Sequence, residues 1–135
     1  MPSSTRKALN VNEVCEINVF AVEALMAAYN ESESWLEDLK IYLYENYQYL
    51  TAFFKEHLPG FNILPLQATY LVWVDCSHLG ISCGEVAQTL LSEGKVRINE
   101  GTIYGDAGEG FIRINIATQR QRLKDGLERI KAVYG

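Results

Sequence analysis

Basic residues are scarce in this chain: 12 lysines and arginines stand against 17 aspartates and glutamates, a formal net charge of -5. That balance offers no broad positive field to a phosphate backbone, so nucleic acid is not an expected partner. Long apolar runs are missing as well. The nearest, Val19 to Ala28, is interrupted by Glu23 and falls short of the ~20 residues a membrane-spanning helix needs, so no membrane partner is expected. The opening Met-Pro-Ser-Ser-Thr-Arg-Lys is not followed by an apolar core and a small-residue cleavage site; a cytoplasmic location is the expectation. Cysteine is sparse and odd in number. Cys15, Cys76 and Cys83 do not form a disulfide framework, and free, mostly buried thiols are expected.

What is present is an ordinary globular composition, 48% apolar and 21% charged over 135 residues. That length suits one domain able to bury roughly two-thirds of its unfolded surface. Residues 1–16 show no hydrophobic period and read as an arm or linker; residues 17–135 read as the domain. From Val19 to Tyr29 good helix formers are apolar on most faces, so this helix wants cover on more than one side. Ser34 and Glu37 have the spacing of a capping box and predict the start of a second helix. Along it Leu36, Leu39, Leu43, Tyr47, Leu50, Phe54 and Leu58 form a stripe of about six turns, which Pro59-Gly60 ends.

Beyond that point the spacing predicts strands at Phe61 to Leu66, Thr69 to Asp75, Val96 to Asn99 and Phe111 to Ala117. Pro65 keeps the first near an edge. Ser82 with Glu85 opens a helix from Cys83 to Ser92, closed by Gly94, and Thr118 with Gln121 opens the last, with Leu123, Leu127 and Ile130 on its buried side. The order predicts an α+β fold: a small mixed sheet with helices packed on it, framed by a long amphipathic helix. On the last strand Ile112, Ile114 and Ile116 share one face, and Phe111, Arg113, Asn115 and Ala117 the other.

Chemistry has few places to reside. The loop from Glu100 to Gly110 carries Gly101, Gly105, Gly108 and Gly110, and reads either as a long mobile connection or as backbone made free to approach a ligand. Arg113, in mid-strand among isoleucines, has a planar fork suited to a carboxylate or phosphate; it could equally face solvent or pair with Glu100 or Asp75. Cys76, His78 and Cys83 number one too few for a structural zinc site, and read better as core and surface residues; no metal is expected. His57 and His78 belong to no nucleophile motif. Tyr42, Tyr44, Tyr47 and Tyr49 spread around the long helix and suit packing or an interface.

Taken together, the run from Asn18 to Tyr29, Trp35-Leu36, Ala68 to Asp75 and Gly108 to Ala117 resembles the C-terminal portion of class I/II aminotransferase-fold enzymes, most closely the cystathionine β-lyase or carbon-sulfur lyase branch. The likeness covers nearly the whole chain from about Ala8. It implies the small, C-terminal domain of a fold type I pyridoxal phosphate (PLP) enzyme, a homo-oligomer whose large domain carries the Schiff-base lysine and the cofactor's phosphate site. No lysine here, Lys7, Lys40, Lys55, Lys95, Lys124 or Lys131, stands in the family's Ser-x-x-Lys context. The resemblance therefore implies a missing large domain, PLP in the parent enzyme but no stable PLP binding by this chain alone, and no catalytic residue here. It puts the arginine that binds the α-carboxylate of an amino-acid substrate, a sulfur amino acid in this branch, on Arg113, with Asn115 completing the motif and Tyr104-Gly105 in the loop near the site. The family's Pro-Arg pair after the strand is replaced by Thr118-Gln119-Arg120, which affects the local turn. The alternative from the residues alone is a stand-alone module that binds small carboxylates or assembles through its first helix.

Overall fold

The computed structural model describes residues 18–135, so the arm or linker read at residues 1–16, with Cys15, lies outside the described residues. The chain divides into a unit ending at Leu39 and a second from Lys40 to Gly135. In the first unit helix α1 (Val19–Glu31) starts at Asn18, whose side chain accepts a hydrogen bond from the Ala21 amide at 2.8 Å. None of its residues is buried, and Phe20 and Tyr29 are 86% and 82% exposed. Helix α2 (Glu33–His57) begins after a break of one residue, Ser32. The predicted cap is therefore displaced: Ser34 lies inside the helix, and the carbonyl of Ser32 accepts from the Leu36 amide at 3.0 Å.

Within the second unit α2 buries Asn46, Leu50, Phe53 and Phe54, and Leu58 just beyond it, so the predicted stripe holds for its C-terminal half; Leu36, in the first unit, is exposed. Four strands follow: β1 (Asn62–Ile63), β2 (Leu71–Asp75), β3 (Asn99–Glu100) and β4 (Phe111–Asn115). Helix α3 (Cys83–Ser92) lies between β2 and β3, and α4 (Arg120–Tyr134) ends the chain. The sheet order is β1-β2-β4-β3 and every pair is antiparallel. The α+β class holds; the sheet is antiparallel where a mixed one was expected.

Local chemistry explains the shorter strands. Pro65 has no amide to offer a ladder; β1 ends at Ile63, and a last backbone bond to β2 runs from the Leu64 amide to the Trp73 carbonyl at 3.0 Å. Lys95 takes a left-handed φ of 55°, and the segment 95–98 joins no strand before Asn99. The Ser82–Glu85 capping box forms in full: Ser82 Oγ accepts from the Glu85 amide, and the Glu85 carboxylate accepts from the Ser82 amide. The expected box at Thr118 and Gln121 does not. Gln119 occupies the N-cap of α4 without a side-chain bond; the Thr118 amide donates to the Ile116 carbonyl at 2.8 Å and the Thr118 carbonyl accepts from Asn46 Nδ2.

Ile112, Ile114 and Ile116 alternate with Val72 and Val74 into one core with Leu50, Phe54, Val86, Leu90, Leu127 and Ile130. Each fully buried side chain of this kind contributes roughly 1.5–3 kcal/mol. The opposite positions of β2 and β4, Leu71, Trp73, Phe111 and Arg113, are half-buried. The C-terminal half of α2 together with α3 and α4 thus covers one face, and the other is left for chemistry.

Candidate functional site

The register places Arg113 at the centre of that second face, directly between Trp73 on β2 and Asn99 on β3. No carboxylate among the described residues forms an ion pair with it, so the Glu100 and Asp75 pairings do not occur. Asp75 spends its carboxylate on the backbone amide and hydroxyl of Ser77, at 2.9 and 2.6 Å, which holds its pKa below the usual carboxylate value. Arg113 is instead packed on aromatic surface. Its guanidinium carbon stands 4.0 Å from the centroid of the Tyr104 ring and 6.0 Å from that of Trp73. Its Nε is sealed from solvent and has no hydrogen-bond partner.

Tyr104 reaches this position through the glycine loop. Rather than a long open connection, the loop winds into two 3-10 turns, Gly101–Tyr104 and Asp106–Gly108. Gly105 between them has φ +120°, a conformation that side-chain-bearing residues rarely adopt. The turns are pressed together: a Cβ on Gly101 would lie 2.1 Å from the Gly108 carbonyl oxygen. Tyr104 is thereby turned back over the sheet, where its ring meets Trp73 edge-on at 5.5 Å and its hydroxyl accepts from Asn99 Nδ2 at 2.9 Å.

Of the four residues singled out from the sequence, Arg113 and Tyr104 are brought into direct contact, and Gly105 shapes the turn that allows it. Asn115 shares Arg113's face, but its Oδ1 accepts from the Ala117 amide at 2.8 Å; it closes its own turn at the strand end instead of supporting the arginine. Sequence reasoning missed Asn99 and the part taken by Trp73. Their signal was cross-strand pairing with Arg113, which no single strand displays.

Arg113, Asn99 and Asn115 also border a cleft of about 730 Å³ between segment 95–99 and α4, rimmed by Arg97 and Arg122. Tyr104 and Trp73 do not line it; they pack against Arg113 beside it. The two described cysteines are free and buried: Cys76 Sγ donates to the Gly110 carbonyl at 3.1 Å, and burial pushes its thiol pKa up to about 11. His78 lies edge-on to Phe61. Glu109 accepts from the amides of Cys83 and Gly110, which lowers its pKa and anchors the loop to the start of α3.

Comparison with known proteins decides the family. Residues 10–130 match the model of "Aminotransferase class I and II". The chain belongs to that family. It is 41% identical to cystathionine beta-lyase PatB of Bacillus subtilis over 125 residues, covering 93% of this chain and 32% of that protein. It is 36% identical to protein MalY of Escherichia coli, over 82% of this chain and 28% of that protein. Among solved structures, the PLP-bound C-S lyase of Staphylococcus hominis in complex with the inhibitor L-cycloserine superposes with a TM-score of 0.83 at 35% identity, over 98% of this chain and 33% of that one. The chain thus spans about a third of the length of the curated relatives it matches.

Lys95, which lines the cleft with Arg113, donates to the Ser92 carbonyl; Lys124 lies over the Tyr49 ring and Lys131 pairs with Glu128. What the cluster can do is bind and orient an anion.

Proposed function

We propose that this chain supplies the substrate-carboxylate site of a PLP-dependent carbon-sulfur lyase of the cystathionine β-lyase type, as its C-terminal domain. Arg113 is the binding residue. The observation that carries the reading is an arginine at the centre of a sheet, packed on aromatic rings and without an acidic partner among the described residues. A guanidinium so held lacks a counter-charge, and a carboxylate presenting two oxygens in one plane matches its fork. PLP, when bound in the whole enzyme, supplies the electron sink for the reaction; its lysine and phosphate groups belong to a large domain outside the described residues. The substrate is an amino acid, and the PatB and Staphylococcus hominis relatives favour one containing sulfur. The chain alone is inactive.

The exposed α1 supports the same reading, since an apolar helix without buried residues fits a surface made to be covered by the rest of an enzyme or by another subunit. It also favours the second reading, a module that oligomerises through α1 and binds carboxylates without catalysis. An absorbance titration of the purified chain with PLP, alone and with a polypeptide spanning the first two-thirds of a relative, tests the choice. The enzyme reading expects a saturable spectral change and turnover of L-cystathionine only in the mixture. A saturable change with the chain alone, or none in a mixture shown to associate, overturns it.

A further inference from the structure

Arg113 stands in a row of three cross-strand neighbours, Asn99, Arg113 and Trp73, and Tyr104 lies over that row and touches every member of it. Its hydroxyl accepts from Asn99, its ring faces the guanidinium at 4.0 Å, and its edge contact with Trp73 fixes the ring plane. We propose that Asn99 and Tyr104 are positioning residues that lock the Arg113 guanidinium in one orientation, so that its terminal nitrogens meet the substrate carboxylate without prior ordering. The inference rests on the carboxylate reading of Arg113 and adds to it the device that sets the affinity.

The need for such a device follows from the side chain. An arginine has many rotamers, and an unrestrained residue surrenders that freedom when it binds. Stacking over a tyrosine ring restrains the guanidinium plane and leaves its edge donors free. A ring on a loop would not restrain anything unless it were itself fixed. Tyr104 is half-exposed, and what fixes it is the Asn99 hydrogen bond together with the turn that Gly105 makes possible. The Nε–H is sealed beneath this cluster and cannot be reached by a ligand, which leaves the terminal Nη groups to receive one. Tyr104 therefore acts through Arg113, its hydroxyl already engaged by Asn99.

The test uses the full chain in solution. In ¹H–¹⁵N spectra the Arg113 side-chain Nε–H, assigned by its loss in Arg113→Ala, is expected as a slowly exchanging signal displaced by the ring current of Tyr104. Tyr104→Leu is expected to return it to the position of a free arginine, Asn99→Ala to move it part of the way, and Tyr104→Phe to retain the stack with the Asn99 tether lost. Titration with L-alanine as the probe carboxylate is expected to show binding about five- to tenfold weaker in Tyr104→Leu, the size of one cation–π contact, with partial rescue in Tyr104→Phe. An Arg113 signal that is averaged in the unmodified chain, or unmoved by Tyr104→Leu, overturns the proposal. So does carboxylate affinity equal in all variants. A locked signal that Tyr104→Leu releases, with no response to L-alanine, supports the lock and instead overturns the carboxylate reading on which it rests.

Discussion

Asn46, wholly buried in the middle of α2, holds Arg120 at the first turn of α4: its Oδ1 accepts from the Arg120 Nε, while its Nδ2 donates to the carbonyls of Ile116 at 2.9 Å and Thr118 at 3.1 Å. One side chain thus satisfies the backbone that leaves β4 and fixes where the last helix begins. Arg120 adds an ion pair to Glu45 at 3.1 Å, and its amide donates to the Tyr42 hydroxyl. The turn that departs from the family's usual Pro-Arg pair is therefore built from α2.

Asn46→Leu takes a donor from the buried Ile116 carbonyl and the half-buried Thr118 carbonyl and an acceptor from the Arg120 Nε, while the Ile116 carbonyl keeps the Thr118 amide and Arg120 keeps Glu45. The expected loss is about 2–4 kcal/mol, on the scale of several lost hydrogen bonds. Urea unfolding of this variant checks it. A midpoint unchanged from the parent would show that the network contributes nothing.

Two glycine substitutions should move stability in opposite directions. Gly126 lies inside α4 with nothing within 4 Å of an added Cβ, so Gly126→Ala should stabilise by about 0.5–1 kcal/mol. Gly101→Ala drives a Cβ into the Gly108 carbonyl and should destabilise by at least ~2 kcal/mol, displacing the Tyr104 turn. Thermal unfolding of both variants, with Trp73 fluorescence as a local probe of the turn, reads the two effects.

Stability should fall at both ends of the pH range. Glu109 and Glu85 accept backbone amides in the folded chain and have pKa values below 4.5, and Asp75 lies below 3.8. A depressed carboxylate stabilises the fold above its unfolded pKa, so this contribution is lost as the pH drops below about 4.5. Cys76 works in reverse. Its folded pKa, about 11, is raised from 9.0, so its contribution is complete below pH 9 and is lost as the pH rises toward 11. Melting temperatures measured from pH 3 to 11 should show both declines, with the alkaline one reduced in Cys76→Val.

Ser82→Ala removes the hydroxyl of a complete capping box at α3 and should cost about 1 kcal/mol. An effect near zero would place the strength of that helix start in the Glu109 bond to the Cys83 amide.

The sequence was most informative where one element explains itself. The α3 capping box, the isoleucine face of β4 and the buried side of α4 all follow from spacing within a single segment. Where distant segments compete for the same backbone, it misled. Thr118 does not cap α4: Gln119 stands at the N-cap, and the turn before it is held by Asn46, 72 residues away, through the Thr118 carbonyl. Asn115 resembles a partner for Arg113 by its place two residues on, yet it bonds to the Ala117 amide. Asn99 gave no signal in its own strand, since its part depends on lying opposite Arg113 and below a loop that folds back. From its own strand Arg113 was one choice among several, and among these the structure removes the pairings with Glu100 and Asp75.

The central claim is that Arg113 binds the substrate α-carboxylate, and a chimera tests it most directly. With this chain replacing the matching segment of the Bacillus subtilis cystathionine beta-lyase, kcat/KM for L-cystathionine is compared between the parent chimera, Arg113→Lys and Arg113→Ala. Loss of a bidentate charged contact predicts a fall of about 10²–10³-fold in Arg113→Ala, carried mainly by KM, with only partial rescue by the single point charge of lysine. Unchanged kcat/KM in a folded Arg113→Ala chimera would contradict the account.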